Sequence, residues 1–91
     1  MLRINKIGEI LDHYGKEAQK LKALEELVEL MEVVLNDINK DNAYGITGEI
    51  ADVHIMLTQL ELIYDVDPAE LREMIDYKLD RQLERIAREV G

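Results

Sequence analysis

The sequence predicts an all-α protein, a four-helix bundle formed by a single domain over residues 1–91 and completed by oligomerisation. Between five glycines and one proline, the chain is rich in residues that favour helices. Apolar residues recur at helical spacing, and no useful stretch alternates as a strand would. A chain of 91 residues without cysteine has a small core and no disulfide, so association of copies is the remaining common source of stability.

The first two predicted helices are separated by Gly15. The first spans residues 3–13, and Gly15 ends it. The second spans residues 16–38 and carries an apolar stripe at the i, i+3, i+4, i+7 spacing of a helix that faces a core. That stripe consists of Leu24, Leu27, Val28, Met31, Leu35 and Ile38. Residues 39–45 are predicted to form a loop, because Asn, Asp and Gly favour turns.

The third predicted helix is apolar on two sides. It begins near Thr47, a suitable N-cap, and runs to about Tyr64. Its main stripe is Ile46, Ile50, Val53, Leu57, Leu60 and Tyr64, and its far side carries Ala51, Ile55 and Leu62. A helix with two apolar sides must be covered on both, and a chain this short has little to cover the second. This pattern predicts a helix-to-helix subunit interface.

The fourth predicted helix follows the turn at residues 65–68. Asp67 is a good N-cap, and Pro68 suits the first helical position. The helix is expected to run to about Glu89 with one apolar face pointing inward. That face consists of Leu71, Ile75, Leu79, Leu83 (or Gln82) and Ile86.

The charge balance restricts the classes of partner. Twenty acidic and 11 basic residues give a net charge of −9, which argues against binding of a nucleic acid polymer. No apolar run approaches the roughly 20 residues that span a bilayer, and the N-terminus does not resemble a signal peptide. We therefore expect a soluble cytoplasmic protein with no membrane partner. A phosphate-bearing substrate would be repelled unless a cation were held at its site.

Two carboxylate clusters offer such a cation site. Glu25, Glu26 and Glu29 lie on the second helix, and Glu49 and Asp52 lie on the third. Carboxylates three residues apart share one helix face, so two antiparallel helices could direct four of them at one point. Such a group stays ionised only around a cation, and oxygen ligands favour Mg²⁺ or Mn²⁺.

The helical position of Glu49 separates it from ordinary surface glutamates. It lies only about 60° from the middle of the apolar stripe of its helix, where a solvated charge is hard to explain. Glu25, Glu29 and Glu32 lie on the flank of the second helix and are equally well explained as solvated residues. From the pattern alone, a metal site and an acidic helix surface both remain open.

The combined motif resembles a known family. Glu-Glu-x-x-Glu at 25–29 followed by Glu-x-x-Asp at 49–52 is similar to the motif of the MazG-like and dimeric-dUTPase all-α nucleoside triphosphate pyrophosphohydrolases. Gln19 and Lys22 precede the first element, as in many MazG-like sequences, and the similarity covers roughly residues 16–86. Ala51 stands where many members have Gly, and the chain has no tryptophan, so the base pocket is poorly defined.

This resemblance implies a four-helix MazG-like bundle that works as a homodimer or homotetramer. It implies hydrolysis of a (d)NTP between the α and β phosphates, which gives (d)NMP and pyrophosphate in nucleotide-pool housekeeping. The cofactor would be Mg²⁺, with Mn²⁺ as the alternative. Under this interpretation the residues are metal-binding Glu26, Glu29, Glu49 and Asp52, catalytic Glu25 and Lys22, and substrate-binding Gln19, Lys78 and Arg81.

Several of these roles have simpler alternatives. Lys22 is equally well explained by an ion pair with Glu26 four residues on, and Lys78 and Arg81 by solvated helix charges. For the whole chain, the alternative is a non-catalytic acidic helical oligomer that serves as an interaction or nucleotide-binding module. The presence of all five motif carboxylates favours the enzyme, because a decayed site would usually have lost one.

Overall fold

A computed structural model describes residues 2–90 and contains four α-helices, with no strand in that range. Helix α1 spans Arg3–Tyr14, α2 spans Lys16–Lys40, α3 spans Ile46–Ile63 and α4 spans Pro68–Val90. The predicted all-α class is confirmed. Within the same residues, no helix combines the length and the apolar character needed to cross a membrane.

Helices α2 and α3 pack against each other along an antiparallel seam, and α1 lies against both. The buried residues of α2 are Gln19, Ala23 and Glu26, and those of α3 are Val53, Met56 and Gln59. In each helix these residues are three or four positions apart, which places them on one face. The seam is therefore part apolar and part polar, and it holds one carboxylate from the motif.

The predicted apolar stripe of α2 is not buried within the chain. Its side chains are between 40% exposed at Leu27 and 73% exposed at Ile38. The face that contacts α3 is instead the row of Gln19, Ala23 and Glu26, which lies roughly a third of the way around the helix from the stripe. Small Ala23, almost fully buried, permits close approach of the two helices. The apolar stripe that the sequence predicts on α2 therefore marks a surface that this chain alone leaves open.

The connection between α2 and α3 differs slightly from the prediction. Helix α2 continues to Lys40 and ends at Asp41, which adopts the left-handed conformation with φ 53°. Helix α3 begins at Ile46, so the prediction of Thr47 as its N-cap is wrong. The N-cap position is held by Gly45 at φ 82°, a conformation that glycine adopts without steric cost.

Helix α4 begins as the sequence predicts, but it does not pack as expected. Asp67 caps it, because its Oδ1 accepts a hydrogen bond from the Ala69 amide at 2.8 Å. Among residues 2–90, no Cα atom of α4 lies within 8 Å of a Cα atom in another helix. The prediction that its apolar face points inward is wrong for the single chain, since Ile75 and Leu79 are 48% and 53% exposed.

The single chain is consequently extended. Its accessible surface is 7520 Å², whereas a compact monomer of this mass exposes about 5,400 Å². Its radius of gyration is 16.6 Å, against about 12 Å for a compact domain of this length. The excess surface, about 2,100 Å², corresponds to helix faces without a covering partner.

Candidate metal centre

Three carboxylates from α2 and α3 meet in the seam. Glu26 of α2 and Glu49 and Asp52 of α3 each offer one oxygen atom, and these atoms lie within 4.8 Å of one another. We call these three residues the carboxylate cluster. Opposite ligands of a bound Mg²⁺ are about 4.2 Å apart, so small side-chain rotations would bring the oxygens to coordination distance. The structure thus brings together three of the four predicted metal ligands.

The burial of the cluster is graded from the seam to the surface. Glu26 is only 6% exposed, Glu49 is partly buried and Asp52 is exposed. The Oε2 atoms of Glu26 and Glu49 are both buried without any hydrogen-bond partner. A buried carboxylate oxygen without a partner costs free energy, because water no longer solvates it. The arrangement therefore fits a cation between the carboxylates, with Asp52 on the side open to solvent.

Glu29, the fourth predicted ligand, lies one turn beyond Glu26 at the edge of the cluster. The negative charge of Glu26 raises the pKa of Glu29, with smaller contributions from burial and from the charge of Glu49. A raised pKa is the expected direction for a carboxyl group beside others of the same charge. A cation held by the cluster would also be attracted to Glu29.

Lys22 forms ion pairs with two of the motif glutamates. Its Nζ lies 3.2 Å from Oε1 of Glu26 and 3.4 Å from Oε2 of Glu25. The hydrogen bond to Glu26, followed by that to Glu25, raises the pKa of Lys22. The predicted ion pair of Lys22 and Glu26 is thus present. It engages one oxygen of Glu26 and leaves the other, Oε2, for a cation.

Glu25 and Gln19 are not part of the cluster and line a cavity of about 490 Å³. Glu25 is largely exposed and is held by Lys22, and both residues line that cavity. Gln19 also lines it, but its amide Nε2 donates a 2.7 Å hydrogen bond to Oε1 of Gln59. Gln19 lies seven residues before Glu26, which is about 10.5 Å along a helix. The cavity reaches toward the cluster at Lys22, which lines the cavity and pairs with Glu26.

Gln59 is a site residue that the sequence interpretation missed. It is 1% exposed, and it lines the same cavity as its partner Gln19. The available signal was an amide three residues after Met56 and six after Val53, on the same face of α3 as these apolar residues. A polar side chain at such a position requires a buried partner, and Gln19 supplies it across the seam.

Lys78 and Arg81, the predicted phosphate-binding residues, are not brought to the cluster within one chain. Both are exposed on α4. The guanidinium carbon of Arg81 lies 5.8 Å from the centre of the Tyr77 ring on the same helix. Because α4 has no close approach to the other helices of residues 2–90, a single chain holds these cations apart from the carboxylates.

The centre thus combines three convergent carboxylates, two of which bury an oxygen without a partner, and a lysine that forms an ion pair with Glu26. Oxygen ligands in this number favour a hard divalent cation. Comparison with known proteins gave no match to a protein-family model, to a curated protein or to a solved structure.

Proposed function

We propose that the protein is a Mg²⁺-dependent nucleoside triphosphate pyrophosphohydrolase of the MazG-like kind, in which Mn²⁺ could replace Mg²⁺. The observation that carries this proposal is the pair of buried, unpartnered oxygens on Glu26 and Glu49 beside Asp52. A merely solvated acidic surface would not bury carboxylate oxygens without partners. The choice of substrate and reaction rests on the resemblance of the two motifs.

In this mechanism, Glu26, Glu49 and Asp52 would hold the cation, with Glu29 at its edge. The chemistry supplied by a bound Mg²⁺ is neutralisation of phosphate charge and activation of water. Glu25 would accept a proton from the water that attacks the α-phosphorus, and pyrophosphate would leave. Lys22 would orient both Glu25 and Glu26 through its two ion pairs.

The cavity beside the cluster supports this arrangement. Gln19 and Gln59 lie about 10.5 Å along the seam from Glu26 and Asp52, which leaves room for a nucleoside between a phosphate at the cluster and the amides. One amide contact joins Gln19 and Gln59, and their other polar atoms would serve the base or the sugar. Lys78 and Arg81 would bind the β and γ phosphates.

We also propose that the protein works as a homodimer or homotetramer in the cytoplasm. The exposed apolar stripe of α2 and the excess surface of the single chain support association. An apolar patch of this extent on a small protein usually marks an interface. A second copy of the chain is the simplest partner, because most soluble oligomers are symmetric assemblies of one chain.

The test is pyrophosphate release from a panel of NTPs and dNTPs, with Mg²⁺ and with EDTA. We expect metal-dependent release from the wild type and a loss of at least about 100-fold in Glu49→Gln. The matched control is Glu32→Gln, which makes the same change at an exposed position of α2 and should keep full activity. Absence of turnover of every nucleotide by folded, oligomeric protein would favour the non-catalytic acidic oligomer instead.

A further inference from the structure

Helix α4 has an apolar face that nothing in residues 2–90 covers. It is 23 residues long, about 34 Å, and large apolar side chains along it are roughly half exposed, at Ile75, Leu79, Leu83 and Ile86. Isolated helices are only marginally stable in water, and most helices in proteins depend on packing of an apolar face. The length and amphipathic character of α4 therefore require a covering surface.

The direction of α4 is fixed by its junction with α3. Asp65 adopts the left-handed conformation at φ 53°. The Val66 amide donates to the Glu61 carbonyl at 2.9 Å, and the Asp65 amide donates to the Leu62 carbonyl at 3.3 Å. This pair of bonds is the Schellman motif, which ends a helix in a defined geometry. Asp67 caps α4 two residues later, and in this arrangement α4 makes no close approach to the other helices of residues 2–90.

A groove with an apolar lining and basic residues lies between α1 and α3. It encloses about 750 Å³, with Ile4, Ile7 and Ile55 among its apolar lining. Its charged residues are Arg3 and Lys6, both cationic. We call this the α1–α3 groove. In a chain of net charge −9, a groove with only basic charges is suited to an apolar helix flanked by carboxylates.

Helix α4 has this pattern over residues 75–86, whereas Arg72 lies one turn earlier on the apolar face. At about 100° per residue, Asp76 and Asp80 follow one flank of the apolar face, and Lys78, Arg81 and Arg85 follow the other. An α4 helix placed with Asp76 and Asp80 toward Arg3 and Lys6 would present its basic flank to the opposite side. Ala51 lines the groove, and the next residue, Asp52, belongs to the carboxylate cluster.

We propose that two copies of the chain exchange α4, so that the apolar face of each α4 occupies the α1–α3 groove of its partner. The excess surface of about 2,100 Å² per chain corresponds to about 4,000 Å² in a dimer, within the range of obligate dimer interfaces. The exchange is reciprocal, as two-fold symmetry requires.

The exchange makes the candidate active site composite. Lys78 and Arg81 of the partner subunit would reach the carboxylate cluster that their own chain holds at a distance. This consequence rests on the proposed function, whereas the exchange itself does not. The two parts are therefore tested by separate measurements.

The exchange is tested by charge reversal and mixing, followed by sedimentation velocity. One variant carries Asp76→Arg with Asp80→Arg, and the other carries Arg3→Glu with Lys6→Glu. In the homodimer of either variant, the flank of α4 and the groove carry charges of the same sign and repel each other. We therefore expect the dimerisation Kd of each variant to rise by about tenfold or more. In a heterodimer of the two variants, each α4 meets a groove of opposite charge, so mixing should restore the wild-type Kd.

Three outcomes would overturn the exchange. A monomeric wild type would exclude it. Variants that dimerise as tightly as the wild type would exclude the α1–α3 groove as the docking surface. Weakened variants that mixing does not restore would place α4 in the groove of its own chain. Circular dichroism of each variant, with unchanged helix content expected, separates these outcomes from misfolding.

The composite site is tested by subunit complementation. Glu49→Gln and the double variant Lys78→Ala with Arg81→Ala are mixed at equal concentration after each is shown to be inactive. Random pairing gives one complete site in each heterodimer, so the mixture should recover about one quarter of wild-type activity. No recovery beside an active wild type would overturn the composite site alone. An inactive wild type would count against the proposed function and leave the exchange to the sedimentation result.

Discussion

At the residue scale, the seam between α2 and α3 contains two kinds of buried polar group. Gln19 and Gln59 satisfy each other through one hydrogen bond. Glu26 and Glu49 each keep a buried oxygen without a partner. Proteins rarely leave such atoms unpaired, and the satisfied amides in the same seam show that the fold can pair buried polar groups. This contrast is the main support for our proposal that the carboxylates bind a cation.

Asp52→Asn should distinguish the effect of metal binding on thermal stability from the effect of charge repulsion within the cluster. Without metal, the variant should unfold at a temperature a few degrees higher than the wild type, because a negative charge beside Glu26 and Glu49 is removed. Added Mg²⁺ should raise the melting temperature of the wild type by mass action and have little effect on the variant. Thermal unfolding with Mg²⁺ and with EDTA measures both effects. Equal shifts in the two proteins would place the cation elsewhere.

The amide pair should show the cost of an unpartnered polar group. Gln59→Leu leaves the Gln19 amide without its buried partner, so we expect a loss of about 1–3 kcal/mol in the free energy of unfolding. The double change Gln19→Leu with Gln59→Leu should recover most of this loss, because neither group is then left unpaired. Urea denaturation gives both values. A double variant as unstable as the single one would mean that packing, not pairing, sets the effect.

At the element scale, the backbone conformations of single residues determine where the helices end. Asp41 and Gly45 are left-handed at the two ends of the α2–α3 loop, and Asp65 is left-handed after α3. The sequence predicted the loops from their Asn, Asp and Gly content. It placed the N-cap of α3 at Thr47 instead of Gly45, because both residue types are common at N-caps.

Substitution of alanine for each of the two glycines near the start of α3 should change the free energy of unfolding in opposite directions. Gly45→Ala places a side chain at φ 82° and should cost about 1 kcal/mol. Gly48 lies within α3, and a Cβ there would meet no atom within 4 Å, so Gly48→Ala should add about 0.5–1 kcal/mol. Chemical denaturation of the two variants compares them directly. Equal effects would contradict the left-handed assignment of Gly45.

At the scale of the whole molecule, the distribution of apolar surface supports the proposed association of copies. The α2 stripe, the apolar face of α4 and the α1–α3 groove are all open in one chain. A protein of this size gains little stability from its own core. Folding and association should therefore be coupled, and the melting temperature should rise with protein concentration.

Leu35→Glu should weaken that association. Leu35 lies in the α2 stripe and is 54% exposed in the single chain, so a charge there would be buried at an interface without a partner. We expect the dimerisation Kd to rise by at least about tenfold. Lys40→Glu places a glutamate at an exposed position on the opposite side of α2 from the stripe and should dimerise normally. Sedimentation velocity distinguishes the two, and identical behaviour would remove the stripe from the interface.

The local sequence determined the number of helices, their approximate ends, and the placement of two carboxylates on one face of α2 and of two on one face of α3. These features depend on helix propensity, capping and the spacing of residues along one helix, all of which are local. Glu49 was predictable as a semi-buried carboxylate because its angle to the apolar stripe depends on α3 alone. Gln59 was overlooked because its significance depends on Gln19, 40 residues away.

Only the tertiary structure decided which face of each helix is covered. The periodicity of α2 defines an apolar stripe, but Ala23 lets a different row approach α3 closely, and the stripe remains open. The periodicity of α4 likewise defines an apolar face without saying what covers it. In the structure, α4 makes no close approach to the other helices of residues 2–90. Periodicity orients side chains about one helix axis, whereas burial depends on where the other helices lie.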